Sequence, residues 1–128
     1  MELPEALASI CVDFDWDNRK VWSLATPAEL WPMRSLAWHL DLPFWSTRPP
    51  EPLFDLCPRV VLDTPALHPY HDARIDRAET QYPLEVMWSA DRPVILDGLH
   101  RLARLHRLGA QIVQVRHHSR DLIPLIRR

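Results

Sequence analysis

The residues most capable of chemistry lie in one short segment, "VILDGLHRLARLHRLG", residues 94–109, which contains both glycines of the chain. Four apolar residues lead into Asp97 and Gly98, and His100 and Arg101 follow at once. A glycine at such a turn permits a positive φ or a close approach of backbone to ligand. The first turn of a helix behind it would present free N–H groups and the positive end of the helix dipole. The segment therefore predicts an anion site contacted by Gly98, His100 and Arg101.

Two further residues extend this predicted site. Asp97 precedes the glycine, where its carboxylate can cap the helix or hold a Mg²⁺ ion that bridges to phosphates. Arg74 is the preferred second phosphate contact, because it lies on a helix predicted from Pro69 to Glu79, directly before the strand that leads to the turn. An Asp-Gly pair is also a common structural turn, so a turn without a ligand stays an alternative.

Candidate acids and bases lie outside the turn as well. Asp41 is a candidate catalytic residue paired with His39 in "WHLDLPFW", and Glu85 and Asp72 are further candidate bases beside Asp97. The aromatic residues of "WHLDLPFW" have three possible roles. They anchor the proline-rich segment 41–58 to the core, form a pocket wall on which a base stacks, or form a surface that binds a protein partner. These three interpretations stay open.

Other histidines and arginines are weaker candidates. His71 with Asp72 is a candidate metal pair, with a solvated helix face as the alternative. His117 and His118 are adjacent on a predicted strand, point to opposite faces and are expected at the surface. Arg104 and Arg107 lie on the polar side of the predicted helix over 99–108, where they extend the basic surface or are simply solvated, and solvation is expected.

Length and composition indicate one globular domain over residues 1–128, with 47% apolar and 25% charged residues. Residues 1–90 carry seven Lys/Arg against fourteen Asp/Glu, a balance of −7, and residues 91–128 carry eight Arg against three Asp, a balance of +5. This distribution argues against a nucleic-acid coat and is consistent with a local phosphate site. The acidic N-terminus lacks the basic region of a signal peptide and no run has the length of a membrane span, so a cytoplasmic protein without membrane contact is expected.

The two cysteines, Cys11 and Cys57, are too far apart in sequence to suggest a zinc site. Two states of these cysteines are therefore open: both are reduced thiols, or they form a Cys11–Cys57 disulfide.

The order of predicted elements indicates an α+β fold with a small mixed sheet and packed helices. A proline-rich connector over 41–58 is expected to be neither helix nor central strand, and residues 59–62 are a strand or the start of a helix. The predicted strands are 11–17, 20–24, 83–88, 93–96 and 111–115, and the predicted helices are 26–40, 69–79 and 99–108.

The segment "PVILDGLHRLARLHRLGAQIVQV" resembles the signature of the ParB/sulfiredoxin-like superfamily, in which a strand leads into a Gly-x-His-Arg or Gly-x-Arg-Arg turn, a helix, a glycine and another strand. "QYPLEVMW" matches the strand before that signature, and "HPYHDARIDRAE" lies where the family has a helix. The resemblance covers about residues 65–118. "LAWHLDLPFW" is similar to a segment of small ParB-like members.

The resemblance implies a ParB/sulfiredoxin-like domain in which Gly98, His100 and Arg101 bind the phosphates of ATP or another nucleotide, with Mg²⁺ at Asp97. Sulfiredoxins carry a catalytic Cys where this chain has Leu99, which argues against their chemistry. Free serine kinases of this fold carry Asp-Gly-His-His-Arg, the nearest characterised motif. The resemblance therefore favours an ATP- or ADP-dependent phosphotransferase acting on a small hydroxyl-bearing substrate.

Two other classes stay open, because a fold does not determine a function. One is a non-catalytic module that senses nucleotide or binds a protein through the Trp-rich segment. The other is a ParB-like nuclease or nucleic-acid binder, which the charge of −7 over residues 1–90 counts against.

Overall fold

Four strands form one mixed sheet in a computed structural model that describes residues 3–8 and 12–128. The strand order is β1–β4–β2–β3, in which β4 runs parallel to β2 and the two outer pairs are antiparallel. This confirms the α+β class. The strands are β1 (Ala28–Pro32), β2 (Leu84–Ser89), β3 (Arg92–Asp97) and β4 (Ile112–His118).

Helices lie on both sides of the sheet. The α-helices of the described residues are α1 (Glu5–Ala8), α2 (Asn18–Trp22), α3 (Pro58–Asp63), α4 (Pro69–Arg77), α5 (Leu99–Arg107) and α6 (Ile123–Ile126). Short 3₁₀ helices span Met33–Ser35, Ala37–Asp41, Pro65–Leu67 and Arg120–Leu122.

Alternation along the central strands produces two apolar cores. Leu84 and Val86 of β2 face the main core, while Met87 points to the opposite face. The main core joins the sheet to α3, α4 and α5, and the second core joins it to α2 and α6. The second core consists of Val21, Met87, Leu96 and Ile126. Burial on both faces explains why β2 reads as an almost continuous apolar run.

The second half of the chain folds as its local pattern predicts. The predicted helix over 69–79 is α4, the helix over 99–108 is α5, and the strands over 83–88, 93–96 and 111–115 are β2, β3 and the start of β4. Gly109 has a φ of +80° just after α5, as expected for a residue that ends a helix.

Three predictions in the first 40 residues are wrong. The strand expected over 20–24 is replaced by α2, which Asp17 caps by accepting a hydrogen bond from the Arg19 N–H. The strand expected over 11–17 is reduced, in its described part, to one bridge between Trp16 and Arg127. Cys11, and with it one half of the disulfide alternative, lies outside the described residues.

The helix expected over 26–40 is replaced by β1 and two 3₁₀ helices. Thr26, the expected cap, instead places its hydroxyl 2.8 Å from Nδ1 of His118. The next residues pair with the edge of β4, from Ala28 opposite Arg116 to Pro32 opposite Ile112. The ladder of the sheet therefore outweighs a local capping signal.

The proline-rich connector contains no helix or strand between residues 42 and 57, as predicted. Trp45 and Leu56 form an isolated bridge and are both buried in the main core. Phe44 packs against the same core. Two aromatic side chains and one leucine therefore fix this irregular segment to the sheet.

Candidate functional site

The turn between β3 and α5 depends on Gly98. Its φ is +114°, in the region that side chains disfavour. A Cβ at this position would lie 2.9 Å from Cδ2 of Leu84 and 3.0 Å from Nη1 of Arg101. The glycine therefore lets the turn pack closely against the protein's own core and against Arg101.

Asp97 is held from the opposite side, by α2. Its Oδ2 accepts a hydrogen bond of 2.7 Å from Nε1 of Trp22, and its Oδ1 one of 3.5 Å from Nδ2 of Asn18. No side chain caps α5 at Gly98, so the expectation that Asp97 caps this helix is wrong. The N–H groups of the first turn of α5 keep their capacity to bind an acceptor.

Three arginines converge on this helix terminus. Arg74 and Arg77 from α4 and Arg101 from α5 line a cleft of about 360 Å³ together with Asp97, Gly98 and His100. We call it the arginine cleft. The side chains of Arg74 and Arg77 make no ion pair or hydrogen bond with any residue of the described ranges, although Arg74 lies 5.9 Å from the ring centre of Tyr70. Both guanidinium groups can therefore bind an anion.

Arg101 is more constrained than the sequence indicates. Its Nε donates to the carbonyl of Glu79 at 2.9 Å, and its Nη1 donates to the carbonyl of Pro83 at 2.8 Å. These bonds tie the segment between α4 and β2 to α5. Within the described part of the chain, Nη2 makes no hydrogen bond. Arg101 therefore acts first as a structural clamp, with one amino group left for a ligand.

His100 belongs to a hydrogen-bonded pair of histidines. Nε2 of His71 lies 2.8 Å from the carbonyl of Ser46, and Nδ1 of His71 lies 3.1 Å from Nε2 of His100. A carbonyl only accepts, so His71 carries its hydrogen on Nε2 and accepts at Nδ1 from His100. Both rings stack on Trp45, with interplanar angles of 5° and 11°.

This arrangement makes His100 a neutral group. Burial, followed by the charge of Arg74, lowers the pKa of His100 to about 3. Among the described residues no buried side-chain nitrogen or oxygen lacks a hydrogen-bond partner, so Nδ1 of His100, which has none, reaches solvent. In the free protein, Nδ1 of His100 therefore carries an accessible lone pair, and His100 supplies no positive charge to the predicted anion site.

The structure does not bring Asp41 to this site. Its carboxylate is mostly exposed and pairs with Arg59, and the hydrogen bond from Arg59 holds the pKa of Asp41 below its usual value. Nδ1 of His39 lies 2.8 Å from the Leu36 carbonyl, and its Nε2 accepts from the N–H of Ile95. His39 is therefore a structural histidine, and the acid–base pair expected in "WHLDLPFW" is wrong.

The aromatic residues of that segment are largely covered. Trp45 is 7% exposed. Trp38 is partly buried, with the ring of His39 stacked on it and the guanidinium of Arg92 4.9 Å from its ring centre. Of the three interpretations offered by the sequence, this geometry favours anchors for the connector.

Three other sequence expectations are corrected. Asp72 pairs with Arg107, which also contacts Asp76, so Arg107 joins α5 to α4 and is not simply solvated. His71 has both nitrogens engaged and cannot form the expected metal pair with Asp72. His118 is buried, not at the surface.

His118 belongs to a buried charged network that the sequence does not reveal. Its Nε2 lies 2.8 Å from Oε1 of Glu85, and Arg116 donates to both oxygens of the same carboxylate. Arg116 also donates to the carbonyls of Val21 and Leu24. The network therefore fixes α2 against the sheet, and Glu85 is a structural partner more than a free base.

A second cavity, of about 690 Å³, adjoins the arginine cleft and shares Glu79, Asp97 and Arg101 with it. We call it the Trp22 cavity. Its other lining residues are Trp22, Tyr82, Pro83, Glu85 and Arg116. Trp22 is separated from Asp97 by 75 residues, so no local pattern could have connected them.

The carboxylates around these cavities do not form a dedicated metal cage. In residues 3–8 and 12–128, no three side chains of His, Cys, Asp or Glu lie close enough to share a metal ion. Mg²⁺ is often held by one or two carboxylates together with substrate phosphates and water. Asp97, at the junction of the two cavities, fits that kind of site.

Comparisons with protein-family models, with curated proteins and with solved structures found no match for this chain. The described helices are all too short or too polar to cross a bilayer.

Proposed function

We propose that this chain is a ParB/sulfiredoxin-like domain that binds the phosphate groups of a nucleotide in the arginine cleft. The order β2–β3–turn–α5–β4, with a glycine at the turn and another after the helix, supports the resemblance noted in the sequence. The mixed sheet around that order is consistent with it.

The observation that carries the proposal is the pair Arg74 and Arg77. Both guanidinium groups are exposed beside the uncapped N-terminus of α5, and neither is neutralised by a carboxylate of the described chain. Arginine is suited to phosphate because its planar fork donates two parallel hydrogen bonds. The helix terminus adds N–H donors and a favourable dipole.

The position of Asp97 favours phosphoryl transfer over simple binding. Trp22 and Asn18 hold its carboxylate at the junction of the arginine cleft and the Trp22 cavity. A Mg²⁺ ion held there would neutralise charge on the bound phosphates. A small hydroxyl-bearing acceptor would receive the phosphoryl group. The proposed reaction class is therefore transfer of a phosphoryl group from ATP or another nucleotide.

The test is calorimetric binding of inorganic tripolyphosphate to the wild type and to Arg74→Ala/Arg77→Ala. Two exposed charge-assisted contacts at about 1 kcal/mol each predict roughly a 30-fold weaker Kd. Arg34→Ala/Arg48→Ala is the matched control, since both arginines are exposed, neither lines the cleft, and together they carry the same total charge. Equal losses in the two double variants would mean that only the overall charge matters, and the proposed site would be wrong.

Arg101→Ala is a poor test of phosphate binding, because Arg101 also donates hydrogen bonds to two backbone carbonyls.

Catalysis is tested separately, by following ATP consumption with Mg²⁺ and a panel of hydroxyl-bearing acceptors. Tight binding without turnover for any acceptor would favour a nucleotide-sensing module.

A further inference from the structure

The Trp22 cavity has no role in phosphate binding itself, yet it is the larger of the two adjoining spaces, at about 690 Å³ against 360 Å³. Its volume is within the range of small-molecule sites. Because it shares three lining residues with the arginine cleft, a ligand that extends past those residues would contact both spaces. What the cavity binds can be inferred from the side chains that line it.

Trp22 is an exposed aromatic ring held in a fixed position. It is 58% exposed, but its Nε1–H donates to Asp97 at 2.7 Å. The helix that carries it is fixed by Arg116, which donates to the carbonyl of Val21 at 2.7 Å. A large ring that is both exposed and immobilised loses little entropy when a planar group stacks on it.

Tyr82 supplies a second aromatic surface in the same cavity. It is 53% exposed, and the guanidinium of Arg101 lies 5.9 Å from its ring centre. Stacking on aromatic side chains is worth about 1–3 kcal/mol per base in nucleic-acid complexes and tolerates different bases. Two such rings at one cavity are more than phosphate binding requires.

The polar groups of the cavity mostly accept hydrogen bonds. Glu85 is 4% exposed and is satisfied by Arg116 and His118, so it forms a polar floor without a free charge. The carboxylates of Asp97 and Glu79 keep lone pairs for a ligand. A planar group with N–H donors at its edge complements these surfaces.

We propose that the Trp22 cavity binds the planar, amino-bearing ring of the same ligand whose phosphates lie in the arginine cleft. This rests on the proposed function and narrows its substrate class to nucleotides with an exocyclic amine, as opposed to phosphorylated sugars or free polyphosphate. The connection is short, because Asp97 bonds to Trp22 through its side chain and precedes Gly98 at the N-terminus of α5.

The experiment compares ATP, CTP and tripolyphosphate by calorimetry on the wild type, Trp22→Ala, Trp22→Phe and Trp88→Ala. UTP, whose ring has no exocyclic amine, should bind the wild type more weakly than CTP, and equal affinities of these two nucleotides would contradict the amine preference. We expect the nucleotides to bind wild type at least about tenfold more tightly than tripolyphosphate, from stacking of the ring. Trp22→Ala should remove that advantage, so that the nucleotides and tripolyphosphate bind this variant with similar affinities, while Trp22→Phe should keep most of the advantage. Trp88 is also exposed but lines neither cavity, so Trp88→Ala should behave as wild type.

Other outcomes separate this inference from the proposed function. Equal affinity of wild type for nucleotides and tripolyphosphate would overturn the ring site while phosphate binding stands. Absence of binding by any of the three ligands would overturn both. If Trp22→Ala does not fold, Tyr82→Ala carries the same test, because Tyr82 is an exposed residue of the loop before β2. Full retention of the nucleotide advantage in Tyr82→Ala would then contradict the proposal.

Discussion

Replacing Gly98 by alanine tests how tightly the site is built against the core. The new Cβ would meet Leu84 Cδ2 at 2.9 Å and Arg101 Nη1 at 3.0 Å. Neither neighbour moves freely, since Leu84 is fully buried and Nη1 of Arg101 is bonded to the carbonyl of Pro83. The turn also requires the alanine to adopt a φ of +114°, which a side chain disfavours.

The other glycine provides a matched control. Gly109 also has a positive φ, +80°, but a Cβ there would meet nothing within 4 Å. Both alanine variants lose about 1–2 kcal/mol from backbone conformation. Only Gly98→Ala adds the cost of overpacking, about 1–3 kcal/mol. The difference between the two variants therefore isolates the close approach at the turn.

The assay is thermal unfolding of the wild type and the two variants under identical conditions. At about 4 °C per kcal/mol for a domain of this size, Gly98→Ala should unfold roughly 4–12 °C below Gly109→Ala. Equal Tm values would refute the reasoning, because they would mean that the packing against Leu84 and Arg101 costs nothing to disturb. Gly98 would then be required for its φ alone.

Two further predictions concern His39 and Arg101. Burial lowers the pKa of His39 from 6.5 to about 4, so the folded protein binds fewer protons than the unfolded chain between those values. The contribution of His39 to the free energy of unfolding should therefore be complete at neutral pH and fall by up to about 1.4 kcal/mol per pH unit as the pH drops through that window. Urea unfolding of His39→Gln should show a shallower dependence of this free energy on pH than the wild type, and an unchanged dependence would contradict this. Arg101→Ala should lower the Tm by about 4–8 °C, because it leaves two carbonyls without donors. Arg77→Ala, the control, should unfold within about 2 °C of wild type. Equal Tm values for these two variants would show that the hydrogen bonds of Arg101 do not stabilise the fold.

The elements that could be predicted from the sequence are those whose partners are close in sequence. From Pro69 to His118, apolar periodicity, the Asp97–Gly98 turn and the helix-ending Gly109 all favour the same order of elements, and the fold follows it. The first 40 residues differ because their structure depends on distant strands. Thr26 is a good helix cap by local criteria, but its hydroxyl is hydrogen-bonded to His118 of β4, and the residues after it pair with β4 as strand β1.

The same distinction between local and distant partners applies to the residues of the candidate site. Gly98, Arg74 and Arg101 could be grouped from the sequence because one turn and the helix before it position them. The tautomer of His100 could not be predicted from the sequence, because it is set by the hydrogen bond from His71 to the carbonyl of Ser46. Trp22 likewise carries no local signal, because a tryptophan in a five-residue helix becomes a site residue only through its bond to Asp97.

Helix α2, which carries Trp22, is held in place by distant parts of the chain, and this affects the order in which the site can form during synthesis. Arg116 reaches the Val21 carbonyl across 95 residues, and Lys20 donates to the Arg127 carbonyl across 107. Contacts of such separation form slowly, because chain entropy is lost before they contribute. A nascent chain that has emerged as far as α5 already contains every residue lining the arginine cleft. It cannot fix α2 until β4 and α6 have left the ribosome, so the Trp22 cavity can be completed only after those elements have emerged.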